Sequence, residues 1–333
     1  MKKYTLGILG VRGYVGRELL GLFAHHQDIQ IDWVSSRQLQ GKTVVSLLES
    51  DENFSFKGLE GEHYLNKLRI ETLDANEVAS KNTDIIVLAL PNGLSKSFVD
   101  AIKKSDSCQL VIDLSADYRF DSDWIYSIPE LLSRTNAFSN LDSDLGSDFT
   151  GIKISNPGCY ATAMQIALAP LTELIEGRAN CFGISGYSGA GTKPSPNNNP
   201  DNLRDNILPY ALLEHLHEKE VAYQLNFPIS FSPHVASFFR GISMTVQVEL
   251  KKTMTSEHIF EIFNSFYKND QYVNVTSDIP TIRDTANTFN CDVGGFKLSE
   301  DGKRLSLVSS LDNLLKGAAS QALQNIELAL NIK

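Results

Sequence analysis

A short apolar run, residues 4–9, feeds into the segment Gly7-Ile8-Leu9-Gly10-Val11-Arg12-Gly13-Tyr14-Val15-Gly16, and a helical apolar pattern follows over residues 16–24. This junction constrains the fold more than any other stretch. A run that is apolar at successive positions suits a strand buried on both faces, as in a parallel sheet. Gly10 lets the chain turn tightly, Gly13 lets backbone approach a phosphate, and Gly16 lets the helix pack on the strand. The N–H groups of the first helical turn, with Arg12, Tyr14 and Val15 beside them, are then offered to a pyrophosphate. The spacing is G-x-x-G-x-x-G, which departs from the usual dinucleotide fingerprint. Its weight comes from its place between a first strand and a first helix.

The pattern continues as alternating strand and helix. Residues 29–34 and 85–90 read as strands, the latter stopped by Pro91. Residues 94–104 read as a helix and 110–114 as a strand. Such alternation predicts a Rossmann-like, doubly wound α/β domain over residues 1–156. The character then changes. Residues 242–250 alternate apolar and polar side chains, as an antiparallel strand with one wet face does. Strands are expected at 182–187 and 304–309, a helix at 258–267 and a long surface loop at 192–206. Residues 157–313 are therefore expected to form an α+β domain with a mixed, largely antiparallel sheet. A final helix from residue 314, with Leu315, Ala318, Ala319, Ala322, Leu323 and Ile326 on one face, is expected to pack back on the first domain, so that 314–333 belong with it.

The 333 residues carry a formal net charge of −10. That balance argues against a nucleic-acid partner or a basic membrane-binding face. No stretch approaches the roughly 18 apolar residues of a membrane span, and the two lysines at the start are not followed by a signal-type apolar segment. The four cysteines, Cys108, Cys159, Cys181 and Cys291, show no zinc-ligand or disulfide spacing, so reduced thiols in a cytoplasmic protein are the expectation. His215 and His217 lack a third ligand at suitable spacing, and no metal is expected.

The cofactor choice is expected at the end of the second strand. NAD enzymes usually carry an acid there for the ribose hydroxyls. This chain has Ser35-Ser36-Arg37, two hydroxyls and a guanidinium, which suit a 2′-phosphate and hence NADP(H). Asp32, just upstream, is the residue able to reverse that reading.

The run Ser155-Asn156-Pro157-Gly158-Cys159-Tyr160-Ala161-Thr162 sets one cysteine between a Pro-Gly turn and a helical segment, 161–169. The field of a helix N-terminus favours the thiolate, which is the nucleophile. The run resembles the active-site motif of the N-acetyl-gamma-glutamyl-phosphate reductases, in the semialdehyde dehydrogenase superfamily. Further stretches are similar to motifs of that family: Leu90-Pro91-Asn92-Gly93, with Asn92 where histidine is usual; Asp113-Leu114-Ser115-Ala116-Asp117-Tyr118-Arg119; Tyr126-Ser127-Ile128-Pro129-Glu130-Leu131; Gly186-Tyr187-Ser188-Gly189-Ala190-Gly191, followed by Thr192 for arginine; His215-Leu216-His217-Glu218-Lys219-Glu220, with Leu216 for arginine and Lys219 for proline; Pro233 to Ile242, with Ser237 for proline; and Asp312 to Ala319.

The resemblance implies NADPH-dependent reduction of an acyl phosphate to an aldehyde with release of phosphate. It implies Cys159 as nucleophile and His217 as acid/base, with His215 as substrate contact or support and His234 as a third candidate. Asn156, Arg119, Tyr210 and Arg240 are expected around the substrate, the two arginines on its anionic groups. Pro91, Ser188, Gly189 and Asn313 are expected near the cofactor. Two histidines separated by one residue cannot share a helical face, so at most one is expected at the thiol. A homodimer or homotetramer is implied through the second sheet. Two rivals stay open: a reductase of a related acyl phosphate, such as aminoadipyl phosphate on a carrier protein or N-succinyl-glutamyl phosphate, and a non-catalytic NADP-binding protein.

Overall fold

The computed structural model describes residues 4–54, 64–104, 108–132 and 151–332. The chain divides into two compact units. The first is Met1–Pro157 with Ala318–Lys333, the second Gly158–Gly317.

Among the described residues the first unit carries seven parallel strands: β1 (Tyr4–Leu9), β2 (Ile29–Ser35), β3 (Ile70–Glu71), β4 (Ile85–Leu88), β5 (Leu110–Asp113), β6 (Ile125–Tyr126) and β7 (Ile152–Ser155). Their order is β3-β2-β1-β4-β5-β7-β6, and every pairing is parallel. The order reverses between β1 and β4, and a crevice at that switch point is where such sheets take ligands. Helices cover both faces. On one face, helix Tyr14–Ala24 buries Leu19, Leu20 and Phe23, and helix Ser320–Leu330 buries Ala322 and Ile326, in one cluster with Leu6 and Ile8. On the other, helix Ser95–Ile102 buries Phe98, Val99 and Ile102 against Ile86, Leu88 and Trp33.

Two glycines of the first turn are obligatory. Gly10 has φ +87°, and a Cβ there would stand 2.1 Å from the Ala89 carbonyl oxygen; one on Gly16 would stand 2.5 Å from the Gly10 oxygen. Both positions fit the roles expected for them, a tight turn and close packing of helix on strand.

The second unit carries seven strands, β8 (Ile175–Gly186), β9 (Ile207–Pro209), β10 (Ile229–Ala236), β11 (Ile242–Leu250), β12 (Val273–Thr276), β13 (Cys291–Leu298) and β14 (Arg304–Leu311). They form one mixed sheet in the order β12-β13-β14-β11-β8-β10-β9. The helices Cys159–Leu168 and Ser256–Tyr267 are joined by the Tyr267 hydroxyl, which donates to the Ile166 carbonyl at 2.7 Å, while Ser309 of β14 donates to Ala163 at 2.9 Å. Along β11 the residues Ile242, Met244, Val246 and Val248 are buried and Gln247 and Glu249 are exposed. The period-2 pattern thus has the meaning expected of it, with one face covered and one open.

The final helix is not continuous. The Asp312 carboxylate accepts the N–H groups of Leu314 and Leu315, at 2.8 and 3.2 Å. The Gly317 N–H reaches back five residues to the Asp312 carbonyl at 2.9 Å. Leu315–Ala319 is therefore a wide π turn, and the α-helix resumes at Ser320. The 192–206 stretch is more ordered than a plain loop. It contains the short turns Pro196–Asn198 and Pro200–Leu203, and the Asn198 amide donates to Gly191 and Lys193, both at 2.8 Å.

Candidate active site

Gly158 caps the helix Cys159–Leu168 in an extended conformation and supplies no side chain, so Cys159 is the first helical residue. The Gly158 N–H donates to Oε1 of Glu220 at 2.9 Å, and Glu220 is fully buried. Below the cysteine lies Gly317, where a Cβ would stand 2.7 Å from the Cys159 Cβ. Cys159 is half-buried, whereas Cys108, Cys181 and Cys291 are buried. Burial pushes the thiols of Cys108 and Cys181 up to about 12, which keeps them protonated.

The next residue, Tyr160, anchors this turn. Its ring fills the space left by Gly183, where a Cβ would come within 2.6 Å of the ring. It packs edge-on to Phe231 with centroids 4.9 Å apart, and its hydroxyl donates to the His234 carbonyl at 2.6 Å. Burial raises the pKa of both Tyr160 and Tyr210, so both remain phenols at neutral pH.

His215 and His217 stand beside this tyrosine. The helix runs over Leu216–Leu225, with His215 outside it as the N-cap and His217 at its second position. The two rings are neighbours, 4.9 Å apart between centroids, and lie 6.4 and 6.0 Å from the Tyr160 ring. The argument that they cannot share a face holds for two helical residues. It does not apply here, because the cap residue leaves the helical path. Tyr210 joins the group, its ring 5.7 Å from His215. Glu218, on the first turn, accepts the Phe231 N–H of β10 at 2.7 Å and fixes the helix to the sheet.

Arg240 and Asn313 are held by a separate hub in the same unit. Arg240 pairs with the wholly buried Asp312 at 3.3 Å. Asn313 accepts the Gly241 N–H at 2.7 Å and donates to the Ser188 hydroxyl at 2.9 Å. Ser188 and Gly189 lie in the turn Tyr187–Ala190, whose Ser188 N–H bonds the Phe239 carbonyl at 3.0 Å.

In the first unit, the helix Tyr14–Ala24 starts at Gly13 with no side-chain cap. A Cβ on Gly13 would meet only the Gly10 oxygen, at 3.5 Å. These are the features of a phosphate cradle, with the half-buried Arg12, Tyr14 and Val15 at its rim. Ser35 accepts the N–H groups of Gly10 and Val11 through its carbonyl. Its hydroxyl accepts Leu73 N–H at 3.3 Å, so Ser35 shapes the turn. Ser36 and the exposed Arg37 follow at the strand end. Asp32 lies three residues before that end, solvent-exposed, where the β1–β2 register shifts. It therefore does not occupy the ribose position, and the residues present fit a nucleotide with a 2′-phosphate.

Pro91 opens a turn in which Gly93 has φ +82°. Asn92 accepts the Ala116 N–H at 3.0 Å and ties this turn to the Asp113–Arg119 stretch. Arg119 is buried and donates to the carbonyls of Asn156 and Leu114, at 3.2 and 3.1 Å. Asn156 accepts from Asn325 at 3.1 Å and points its amide at Ala318, 3.4 Å away.

Glu220, Asp312 and Gly317 lie outside the site residues expected from the sequence. The signal for Glu220 in the sequence is its place three residues after His217, one turn along the same helical face.

Residues 5–137 match the semialdehyde dehydrogenase, NAD binding domain, and residues 159–313 the semialdehyde dehydrogenase, dimerisation domain. The N-acetyl-gamma-glutamyl-phosphate reductase of Xanthomonas campestris pv. campestris is 48% identical over 98% of this chain and 95% of its own length. That of Stenotrophomonas maltophilia is 46% identical over 99% of this chain and 96% of its own length. Among solved structures, aspartate semialdehyde dehydrogenase II from Vibrio cholerae superposes with a TM-score of 0.74 at 20% identity, covering 99% of both chains, which shows a shared fold. The chain belongs to the semialdehyde dehydrogenase family, among its N-acetyl-gamma-glutamyl-phosphate reductases.

Proposed function

We propose that the chain reduces N-acetyl-gamma-glutamyl phosphate to N-acetyl-glutamate 5-semialdehyde, releasing phosphate, with NADPH as reductant in arginine biosynthesis. The observation that carries this reading is the half-buried Cys159 at the first position of its helix, with Glu220 of the His217-bearing helix holding the N–H just before it.

Cys159 attacks the acyl carbon as thiolate, the C–O bond to phosphate breaks, and a thioester remains. The N–H groups of the first turn after Gly158 face the developing oxyanion. His217 takes the thiol proton and later returns one to the oxygen that becomes the aldehyde. NADPH would be held by the Gly10–Gly16 turn, with Ser36 and Arg37 toward its 2′-phosphate, and would supply the hydride for the reduction. Collapse of the resulting thiohemiacetal breaks the C–S bond and frees aldehyde and thiol. Arg119, braced by two carbonyls, and Arg240, held by Asp312, carry the positive charge that an anionic substrate calls for. Asn156 supports the segment leading to Pro157 and Gly158. Ser188 and Gly189, with Asn313 bonded to the Ser188 hydroxyl, form the group we assign to the nicotinamide.

We further place the chain in the cytoplasm as a homo-oligomer, a dimer or tetramer. Among the described residues no helix is long and apolar enough to cross a membrane. The match to a dimerisation domain and the open sheet face, with the exposed Phe182 ring tilted against His234 at 4.3 Å between centroids, support self-association.

The test is phosphate-dependent NADP+ reduction with N-acetyl-glutamate 5-semialdehyde, beside Cys159→Ala. Activity lost in the variant supports the reading. Higher kcat/KM with the N-succinyl semialdehyde or the aminoadipate analogue would replace the substrate, and inactivity with all three would overturn catalysis.

A further inference from the structure

His215 is built into the site by a bond that carries information about its protonation. Its Nδ1 accepts the His217 N–H at 3.1 Å. An acceptor nitrogen carries no proton, so the ring is neutral with its hydrogen on Nε2. It closes the first turn of the Leu216–Leu225 helix as serine or asparagine does elsewhere. The ring is enclosed by other rings: His217 at 4.9 Å, Phe231 at 5.3 Å and Tyr210 at 5.7 Å.

We infer that His215 is a positioning residue, a neutral N-cap that aims His217 by fixing the turn on which His217 sits, and that its protonation dismantles the cap. This rests on the assignment of His217 as acid/base. An imidazolium has two N–H donors and no acceptor, so it cannot take the His217 N–H. It also places a positive charge at the positive end of the helix. The surrounding groups do not prevent this. Glu218 on the same helix favours the charged ring, but its carboxylate is committed to Phe231 N–H; Glu214 pairs with Lys219 at 3.1 Å; Tyr160 and Tyr210 stay neutral. Burial outweighs Glu218 and holds the His215 pKa below its usual value, which favours the capping form at neutral pH.

A substrate ligand and a cap respond differently to replacement. Asparagine accepts the same N–H and does not titrate, whereas alanine does neither. His215→Ala is expected to lower kcat about fivefold to tenfold, the worth of a lost cap, with KM changed less than about twofold. His215→Asn is expected to restore most of kcat, and to remove from the acid limb of the kcat profile the extra step of about fivefold to tenfold that the parent shows as His215 protonates. Tm and the Cys159 alkylation rate, measured on each variant, identify a misfolded protein. Equal losses in the alanine and asparagine variants, or a rise in KM in both, would overturn the cap and return His215 to the substrate. An unchanged acid limb in the asparagine variant would overturn its protonation step. His217→Ala serves as the separate control: if that variant stays active, the acid/base assignment fails, whatever the His215 variants show.

Discussion

The Glu220 carboxylate accepts the Gly158 N–H at 2.9 Å, and Glu220 follows His217 by three residues on one helix. Positions i and i+3 share a face. One side chain thereby ties the turn before Cys159, the proposed nucleophile, to the helix that carries His217, the proposed base. Glu220→Ala leaves a buried N–H without its acceptor, which costs about 1–3 kcal/mol. The variant is expected to unfold at lower denaturant and to show slower alkylation of Cys159. Glu220→Gln keeps an oxygen acceptor and is expected to recover much of both, as denaturant titration and thiol labelling will show.

The four cysteines predict a sharp labelling pattern. A thiol with a pKa of about 12 has roughly one part in 10⁵ thiolate at pH 7. Cys108 and Cys181 are in that state, and Cys291 is buried. Iodoacetamide on the native protein is expected to modify Cys159 alone. Peptide mapping that finds comparable modification at Cys181 would mean that the second sheet opens readily, contrary to its buried strand pattern.

Much of this architecture was legible in the chain, and the exceptions share causes. The buried runs of β1, β4 and β5 announce a parallel sheet because both faces are covered. β11 is readable because one face is wet. Strands β3 and β6 are two residues each, too short for any period to show. β13 is broken by a register shift between Gly294 and Lys297, and β8 reads only from Phe182 onward because Gly177 and Arg178 interrupt its start. At the site, Cys159 and His217 stand out by residue type. The part played by His215 does not, since a cap is a matter of backbone conformation. Asp312 likewise reads as one letter of a motif, while its carboxylate holds Leu314, Leu315, Asn287 and Arg240 together.

Cofactor preference is testable at one exposed side chain. Arg37 follows Ser36 at the end of β2, and Asp32 points to solvent upstream. A guanidinium–phosphate contact contributes about 1.5–3 kcal/mol. Arg37→Ala is expected to raise KM for NADPH about tenfold to a hundredfold and to leave any rate with NADH unchanged. Equal losses with both nucleotides would place the arginine on the shared pyrophosphate.

Gly317 offers the strictest test of how tightly Cys159 is held. It sits in the π turn, where Gly317 N–H bonds the Asp312 carbonyl at 2.9 Å. A methyl group there would lie 2.7 Å from the Cys159 Cβ, 3.1 Å from its Cα and 3.3 Å from the Asp312 oxygen. None of these atoms is the tip of a flexible side chain. Either the first turn of the cysteine helix moves or the π turn does, and overpacking of this kind costs about 1–3 kcal/mol. Displacing a reacting atom by about 1 Å lowers rate on the order of a hundredfold. Gly317→Ala is therefore expected to lose kcat on that scale with a modest fall in Tm. NADPH fluorescence is expected still to report binding, since Gly10–Gly16, Ser36 and Arg37, the residues proposed to hold the nucleotide, belong to the other unit. A parental kcat with reduced Tm would mean that the π turn yields and the thiol stays where the Glu220–Gly158 bond puts it.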